Sequence, residues 1–500
     1  MRLTPSDIYT HYRPSQCDLR VFLKDHGYAA AEPSPFAVVL RRLGKRHEDS
    51  HLGSLGTYID LSDVPESEIL QRTIDTVSAN ASVIYQAFLT CDVRINGIDC
   101  VISGRPDFLI RDNLGYIIRD SKMSRRINHK DHPEIVLQMQ TYAWLFERMF
   151  GVPAVRLEVH RGDGKFEPVE YVGPDRVVDA FRKIVSLRSL SKEPFSPVGV
   201  SKCAGCGYED YCWPKAREAR SVALVVKVDQ GIALALHEIG IHSMQQLVDK
   251  FDADTLSELK RPQGSRSVRV GNRAANILRN AGVYISGNEM VLQKPAIPVA
   301  ANYVMFDLEG MPPHFDELQK VYLWGMQVFG ENPSDYFFST AGFGPAGDRQ
   351  GWEDFLTRAD AIFQRYGDIS FVHWAPYEKT FINHYKHNYG DDTGRADRVL
   401  ANLLDLWRVT EESIVLPLPS YSLKVVEKYV NFKRTLPEAN GNWSMATYIE
   451  ATETEDGPTR ERLMDDIRTY NQEDLQATWA VLTWLQTKDV TAVVNSSAQR

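Results

Sequence analysis

The sequence predicts a multidomain protein of the α/β class, and three observations lead to that prediction. The chain has 500 residues, enough for two to four domains with real hydrophobic cores. Residues 300–488 alternate short apolar runs, typical of buried strands, with helical patterns. Residues 91–122 instead alternate apolar and polar residues between turn signals, which indicates antiparallel hairpins. The two patterns favour separate domains.

Composition and charge narrow the classes of function. Hydrophobic residues make up 43% of the chain and charged residues 25%, as in ordinary globular proteins. No apolar run is long enough to cross a bilayer, and the first residues lack the layout of a signal peptide. We therefore expect a cytoplasmic protein without a membrane partner. A net charge of −9 argues against binding nucleic acid over the whole surface, but basic stretches at 119–130 and 260–279 leave room for a local groove.

The first region, residues 1–220, mixes helices with a strand-rich centre. Turns are predicted at Asn96-Gly97 and at Asn113-Leu114-Gly115, so two hairpins follow one another. Asp107 is expected to end a strand, and an amphipathic helix is expected from about Pro133.

The middle of the chain is predicted to be helical over residues 221–285, followed by a polar linker over 286–299. The stretch LHEIGIHSMQQL, with Gly240 at its turn, is similar to a helix–hairpin–helix element. Such a turn would present backbone N–H groups and a helix N-terminus to a phosphate. An ordinary helical connector is the alternative, and the basic run after Lys260 favours nucleic acid.

The third region, residues 300–488, has the α/β pattern, and residues 489–500 are predicted to be a disordered tail. No G-x-x-x-x-G-K-[ST] phosphate loop occurs in the sequence. The chain therefore carries no recognisable NTP-driven motor, and a helicase partner acting in trans would have to supply one.

Four cysteines indicate a metal centre. Cys17 stands alone, whereas Cys203, Cys206 and Cys212 lie close together in the sequence. Soft thiolate ligands select zinc or an iron–sulfur cluster, and both alternatives stay open on spacing alone. Cys91 and Cys100 fall in a strand-like stretch and are expected to be buried apolar residues.

A pair of carboxylates and a lysine form the first candidate catalytic group. Asp107 ends the run Gly104-Arg105-Pro106-Asp107, and Asp120 and Lys122 follow at i, i+2 spacing, which places both on one face of a strand. Hydrolysis of a phosphodiester needs a hard divalent cation held by carboxylates and a cation or base near the attacking water. Asp107 and Asp120 would hold Mg²⁺ or Mn²⁺, and Lys122 would steer the water.

These residues resemble the PD-(D/E)xK nuclease superfamily, with its restriction-endonuclease-like fold, and specifically the RecB-like branch. Gly44-Lys45-Arg46-His47 matches the preceding G-x-x-H helix, and Gln138 through Tyr142 match the following Q-x-x-x-Y helix. The resemblance implies that His47 is a further metal ligand beside Asp107 and Asp120, and that Lys122 is catalytic. It also implies that Gln138 and Tyr142 position the site and the strand.

The cysteine frame around this group resembles the iron–sulfur RecB-type exonucleases. The resemblance implies that Cys17, Cys203, Cys206 and Cys212 bind a 4Fe–4S cluster that joins the ends of the domain. The rival is tetrahedral zinc, which also takes four thiolates. Each of these residues has a simpler alternative interpretation when it is taken alone. Asp107 and Asp120 could be surface turn residues, His47 could lie on a helix surface, and Gln138 could belong to the polar face of a helix.

A second acidic group lies towards the C-terminus. Asp307 and Glu309 follow the apolar run YVMF, Glu378 follows a second strand, and Tyr470 and Asp474 lie at i, i+4 on a helix. Acids that converge in one cleft repel each other unless cations lie between them. Such a group suits a two-metal site whose cations lie about 4 Å apart.

This layout resembles the DEDD exonucleases with an RNase H-like fold, and most closely their YprB-like family, which shares the segments YE, DLW and SYSLK. The resemblance implies that Asp307, Glu309, Glu378 and Asp474 hold metal and that Tyr470 orients the attacking water. The second motif departs from the family by offering His373 and Glu378. Asp405 is a spare acid that would substitute or merely cap a helix. A degenerate fold kept for binding is the alternative.

The whole chain resembles RecB-like predicted nucleases that join these two domains. The resemblance implies a metal-dependent exodeoxyribonuclease with two potentially catalytic sites, acting on single-stranded or end-bearing DNA. Repair, defence and turnover all stay open as its biological role. Two other classes remain: an RNase acting through the C-terminal site, and a nucleic-acid-binding adaptor with vestigial nuclease folds.

Overall fold

The computed structural model describes residues 1–264, 266–311, 320–340, 344–436 and 439–489. The chain divides into two compact units. Unit 1 holds Met1–Trp213, and unit 2 holds the described residues from Pro214 onwards. Most of the predicted tail, residues 490–500, lies outside the described residues.

Unit 1 surrounds two sheets with helices. Its helices are α1 Pro5–Tyr12, α2 Asp18–Asp25, α3 Pro35–Ser54, α4 Ile69–Ser78, α5 Pro133–Phe150, α6 Asp175–Arg188, α7 Val200–Cys203 and α8 Glu209–Glu218, the last of which continues past Trp213. Its strands are β1 Arg2–Leu3, β2 Ile59–Asp60, β3 Val83–Tyr85, β4 Leu89–Ile95, β5 Ile98–Gly104, β6 Phe108–Asp112, β7 Gly115–Lys122, β8 Arg156–Arg161 and β9 Phe166–Val169.

The two predicted hairpins are confirmed. Strands β4 and β5 pair antiparallel across Asn96-Gly97, and β6 and β7 pair antiparallel across the turn that ends at Gly115. The larger sheet has the order β2-β3-β6-β7-β8-β9, and β7 and β8 run parallel because α5 connects them. The smaller sheet has the order β1-β5-β4.

Helix α5 supplies much of the core of unit 1. It begins at Pro133, as predicted, and ends at Phe150, where Gly151 follows with a φ of +69° as the left-handed cap that favours glycine. Met139, Ala143 and Leu145 of this helix are buried with residues of β7 and β8. One face of β7 is therefore turned towards α5, and the sequence alternation decides which side chains lie there.

Unit 2 contains the helical middle segment and a second sheet. Its helices are α9 Gln230–Glu238, α10 Met244–Lys250, α11 Ala253–Glu258, α12 Ala274–Ser286, α13 Gly344–Tyr366, α14 Tyr377–Tyr389, α15 Arg395–Ala401, α16 Leu406–Ser413, α17 Leu423–Tyr429, α18 Gly441–Glu453 and α19 Gly457–Gln486. Its strands are β10 Lys260–Gln263, β11 Arg266–Arg269, β12 Met290–Val291, β13 Asn302–Met311, β14 Lys320–Gly330, β15 Phe337–Thr340, β16 Phe371–His373, β17 Leu403–Asp405 and β18 Ile414–Val415.

The sheet of unit 2 has five strands in the order β15-β14-β13-β16-β17. Strands β13 and β14 pair antiparallel, whereas β16 and β17 continue the sheet in parallel with β13. Val304 and Phe306 face one core, and Tyr303 and Met305 face the other. Helix α19 packs on the Tyr303 face, so the alternation turns later odd-numbered residues of β13 towards this helix.

The middle segment contains helices, as predicted, but the prediction that it is helical throughout is wrong. Gly240, with φ of +79°, lies in the turn between α9 and α10, as the pattern predicted. The basic run after Lys260 forms the antiparallel hairpin of β10 and β11. The predicted linker 286–299 is only partly a linker, because β12 within it pairs with β18. Two-residue pairing of this kind leaves no periodicity that a sequence pattern can reveal.

Within the part of the chain that the structure describes, no helix combines the length and apolar character needed to span a membrane.

Candidate active sites

The first carboxylate pair lies at the open end of the β6–β7 hairpin. Asp107 directly precedes β6, so the expectation that it ends a strand is wrong; Gly104 ends the preceding strand β5. Asp120 lies near the end of β7. Tyr116 and Ile118, which precede it at every second position, are buried in the core with α5, so Asp120 lies on that same face of the strand. Their exposed fractions are 8% for Asp107 and 0% for Asp120.

Backbone hydrogen bonds fix the two carboxylates against each other. The Asp107 N–H donates to Asp120 Oδ1 at 3.0 Å, and the Ser121 N–H donates to Asp107 Oδ2 at 2.7 Å. Lys122 Nζ lies 2.6 Å from Asp120 Oδ2. The three residues predicted from their spacing therefore meet in one group.

Electrostatics in this group follow from burial. Burial, and then the charge of Asp120, raise the pKa of the Asp107 carboxyl well above its usual range. Burial opposes the charged form of Lys122, but the carboxylates of Asp120 and Asp107 outweigh it and raise the pKa of the ammonium. The lysine therefore stays protonated at neutral pH.

Helix α5 brings the predicted glutamine and tyrosine to the same carboxylate. Gln138 Nε2 donates to Asp120 Oδ2 at 3.0 Å and to Tyr142 Oη at 2.7 Å. Burial is the main cause that raises the pKa of Tyr142, so this phenol stays protonated. The i, i+4 pair thus holds Asp120 from the helix side of the sheet.

Helix α3 carries His47, the predicted ligand, and brings a further acid to the site that the sequence did not suggest. The ring of His47 stacks on the ring of His160 of β8, with 4.2 Å between the ring centres. His160 is 3.3 Å from the Ser121 hydroxyl in a hydrogen bond, so it lies on the face of the sheet opposite to Asp120. Glu48, the next residue, accepts from Gln86 Nε2 at 3.3 Å, and Gln86 Nε2 also donates to Asp107 at 3.1 Å. Glu48 therefore joins the acidic group, and sequence reasoning missed it although it adjoins the G-x-x-H motif.

The four cysteines all lie in unit 1 as free thiols. Cys203 ends α7, and burial, then the neighbouring Cys206, raise the pKa of its thiol. The Cys17 sulfur lies 3.3 Å from Ser196 Oγ. Among the described residues, the thiols do not form a group whose ligand atoms all lie within 4.8 Å of one another.

The second acidic group is a trio formed by β13 and α19. Asp307, Glu309 and Asp474 each offer a carboxylate oxygen, and these atoms all lie within 4.8 Å of one another. The alternation of side chains along β13 explains why these carboxylates come together. Asp307 and Glu309 lie on the same face of the strand as Tyr303 and Met305, and α19 packs on that face. Three of the four predicted metal carboxylates therefore converge.

Burial makes this trio electrostatically costly. Burial, and then the charge of Asp474, raise the pKa of Glu309 to about 8. The same causes raise the pKa of Asp307 well above its usual range. Burial also raises the pKa of Asp474, although the guanidinium of Arg434 opposes the shift. Without a cation, Glu309 therefore keeps its proton at neutral pH.

Glu378, the fourth predicted acid, lies outside the trio. It falls in the first turn of α14, and its Oε2 is 3.0 Å from Nδ1 of His373 at the end of β16. Asp405 caps α16 by accepting from the Arg408 N–H at 3.1 Å, as the helix-cap alternative predicted. The residues that depart from the family pattern thus pair with each other.

Two cations and Tyr470 border Asp474. Arg434 pairs with Asp474 and with Glu427, and Lys424 Nζ lies 3.8 Å from Asp474 Oδ1. Lys424 Nζ also lies 4.4 Å from the centroid of the Tyr470 ring. Burial, and then Asp474, raise the pKa of Tyr470, so its hydroxyl keeps its proton. Neither Arg434 nor the role of Lys424 was foreseen.

Asn471 and Gly325 support the trio from beside it. Asn471 Nδ2 donates to Asp307 Oδ2 at 2.7 Å, and Tyr336 Oη donates to Asn471 Oδ1 at 2.9 Å. Gly325 pairs with Asp307 across β13 and β14, and a Cβ there would lie 1.7 Å from Asn471 Oδ1. Only glycine leaves room for this amide, a requirement that no local sequence pattern reveals.

Two known family models match two separate stretches of the chain. Residues 37–213 match the family model of the PD-(D/E)XK nuclease superfamily, and residues 304–486 match that of the RNase_H superfamily. Seven chains among solved structures match this protein. One, titled "Crystal structure of SSO0001", is 19% identical, covers 36% of this chain and 97% of its own, and has a TM-score of 0.21. No curated protein matches.

Proposed function

Because the chain joins a domain of the PD-(D/E)XK nuclease superfamily to a domain of the RNase H superfamily, we propose that it is a metal-dependent nuclease that hydrolyses DNA. Its preferred substrate is single-stranded or end-bearing DNA, and its action is exonucleolytic. The observation that carries the proposal is the convergence of Asp307, Glu309 and Asp474 within 4.8 Å.

Both acidic groups fit divalent cations. Buried carboxylates this close repel one another unless protons or cations neutralise them. Oxygen donors are the ligands that Mg²⁺ and Mn²⁺ prefer. When bound, such cations would polarise the phosphate and offset the charge that develops during hydrolysis. The raised pKa values of Asp107 and Glu309 support the need for a cation at each site.

At the first site, Asp107 and Asp120 would hold the cation, with His47 or Glu48 as a further ligand. Lys122 keeps its proton and points its ammonium at Asp120, where it would steer the attacking water and balance the phosphate charge. Gln138 fixes one oxygen of Asp120 from the side of α5, and the Ser121 N–H fixes one oxygen of Asp107. Substitution of His47 and of Glu48 by alanine, one at a time, separates the two ligand candidates by Mn²⁺ affinity.

At the second site, the trio would hold the cation, and Glu378 would join it only after releasing His373. The Tyr470 hydroxyl stays protonated and would orient the attacking water. Lys424 and Arg434 lie where they would offset charge on Asp474 or on a bound phosphate. An active second site thus needs these cations to exchange partners when metal and substrate enter.

The iron–sulfur cluster is the further part of the proposal. Cys17, Cys203, Cys206 and Cys212 would bind it, and it would join the first and last segments of unit 1. Anaerobically purified protein should be brown and contain iron and acid-labile sulfide. Cys206→Ala should lose both, whereas Cys91→Ala, a control in β4, should keep both. Colourless wild-type protein with stoichiometric zinc would overturn this part.

One experiment tests the nuclease itself. Wild type, Asp120→Asn, Asp474→Asn and the double variant that carries both substitutions are incubated with Mg²⁺ or Mn²⁺ and with 5′- or 3′-labelled single- and double-stranded DNA and RNA. We expect DNA cleavage by the wild type and by each single variant, and none by the double variant. RNA cleavage that survives Asp120→Asn but not Asp474→Asn would favour an RNase instead. Equal inertness of all proteins would favour an adaptor.

A further inference from the structure

A cavity of about 420 Å³ opens in unit 1 beside the first carboxylate pair. Gln138 and Tyr142 form one of its walls, and Gln138 is the residue whose amide bonds to Asp120 at 3.0 Å. Arg105, two residues before Asp107, lines another wall. One side of the cavity is therefore joined to Asp120 by the hydrogen bond of Gln138. The other side, at Arg105, is two residues from Asp107 along the chain.

Aromatic side chains line the mouth and the wall of this cavity. Tyr9 on α1 is 58% exposed although it is large and apolar, and Phe88 lies just before β4. The guanidinium of Arg105 lies 5.8 Å from the centre of the Phe88 ring. The Phe88 ring is partly buried against the core of unit 1, so Tyr9 is the exposed ring of the two. Aromatic rings beside a cation form the usual platform for unpaired bases, since every base has a flat face that stacks.

Gly104 keeps the cavity open towards Tyr142. A Cβ at this position would lie 2.6 Å from Cε1 of the Tyr142 ring, so any other residue would displace that ring. The Tyr142 ring can therefore line the cavity directly against the backbone of β5. This close approach joins the wall of the cavity to the residue pair that positions Asp120.

We propose that this cavity receives one unpaired base of the DNA strand, next to the phosphate held at the first site. The inference rests on the proposed nuclease function of that site. A volume of about 420 Å³ suits a single nucleotide and is far too small for a base pair with its two backbones. The strand would place a phosphate at Asp107 and Asp120, the neighbouring base between Tyr9 and Phe88, and its flanking phosphate near Arg105.

The proposal has a consequence for substrate choice. A base must leave its stack and its partner before it can enter a cavity of this size. The first site should therefore prefer single strands and frayed ends over duplex interiors. Stacking on one aromatic side chain changes affinity by roughly tenfold to a hundredfold per base, so the preference should be measurable.

The test couples a substitution in the protein to a missing base in the substrate. The full chain carries Asp474→Asn, which silences the second site, and kcat/KM is measured on single-stranded oligonucleotides with one abasic position moved along the strand. The missing base is expected to lower kcat/KM about tenfold at one position of the strand and to have little effect at the others. Tyr9→Ala should lower kcat/KM on the intact strand by a similar factor, and the abasic position should then cost nothing further.

Control variants separate the outcomes. Tyr9→Phe keeps the ring and should keep the abasic penalty, whereas Leu114→Ala, at the opposite end of the β6–β7 hairpin and 87% exposed, should leave the rates unchanged. One outcome is that the Asp474→Asn protein cleaves DNA while the losses in kcat/KM caused by Tyr9→Ala and by the abasic position simply multiply. In that case the cavity binds no base, and the nuclease proposal stands. If that protein cleaves no DNA, the nuclease function of the first site fails and this inference fails with it.

Discussion

Replacing Glu309 by glutamine tests the central electrostatic claim about the acidic trio. Glu309 lies with Asp307 and Asp474 in a buried group, and its pKa is raised to about 8 by burial and then by Asp474. In the metal-free protein the carboxyl therefore binds a proton at neutral pH and loses it, at a cost, in alkaline solution. Glutamine has nearly the same shape and never ionises, so it removes this pH dependence.

The magnitude follows from linkage. Between the ordinary pKa of 4.5 and the folded value of about 8, the folded state binds more protons at Glu309 than the unfolded state does. Stability must therefore fall as pH rises through this window. A shift of this size corresponds to about 5 kcal/mol of unfolding free energy when the window is crossed completely. Glu309→Gln should be more stable than wild type at pH 8.5 and should match it near pH 5.

Urea unfolding in EDTA provides the assay, because the buried Trp324 and Trp352 of unit 2 report on its fluorescence. Wild type and Glu309→Gln are compared at pH 5 and pH 8.5, with Glu412→Gln, a half-exposed residue of α16, as the matched control. In a parallel series without EDTA, Mn²⁺ at a hundredfold excess over Kd should raise wild-type stability at pH 8.5 by about 3 kcal/mol. It should help Glu309→Gln much less, since one ligand is lost.

Two results would refute the reasoning. One is an unfolding free energy for Glu309→Gln that falls between pH 5 and pH 8.5 as steeply as that of wild type. The other is equal stabilisation of both proteins by Mn²⁺. Either result would mean that the trio is hydrated or spread apart in solution and does not act as a cation site.

Further substitutions test the remaining parts of the two sites. Lys122→Ala should lower cleavage at the first site about 10²- to 10³-fold, and Lys122→Arg should recover part of it; a change below threefold would refute the role of the ammonium. Gly325→Ala forces Asn471 away from Asp307 and should cost about 1–3 kcal/mol of stability in urea unfolding, whereas Gly441→Ala, with open space around its Cβ, should cost little; equal effects would refute the argument. Cys206→Ala should lower the melting temperature of unit 1 if a cluster joins its ends, and an unchanged temperature would contradict that.

Local patterns predicted much of the fold and part of each site. The hairpin turns, the start of α5 at Pro133 and the i, i+2 and i, i+4 pairs all depend on residues close in sequence. Such features follow from strand and helix periodicity, which the sequence contains directly. Asp120 and Lys122 therefore meet as predicted, and so do Gln138 and Tyr142.

The errors and omissions have a common physical origin. Asp107 precedes its strand because the β-hairpin register, set across two strands, decides where β6 begins. Glu48 joins the acids because the rotation of α3 against the sheet turns it towards Gln86. Neither register nor helix rotation is encoded in a short window.

By itself, the sequence indicated the two nuclease-superfamily domains through the resemblance of its motifs. It also indicated most element types and the candidate acids, because these follow from periodicity and residue chemistry. Only the tertiary structure decided that Asp307 and Glu309 meet Asp474 while Glu378 pairs with His373. It also decided that Gly325 makes room for Asn471. The reason is that convergence depends on which face of a strand a distant helix covers, and that choice is made by packing of the whole core.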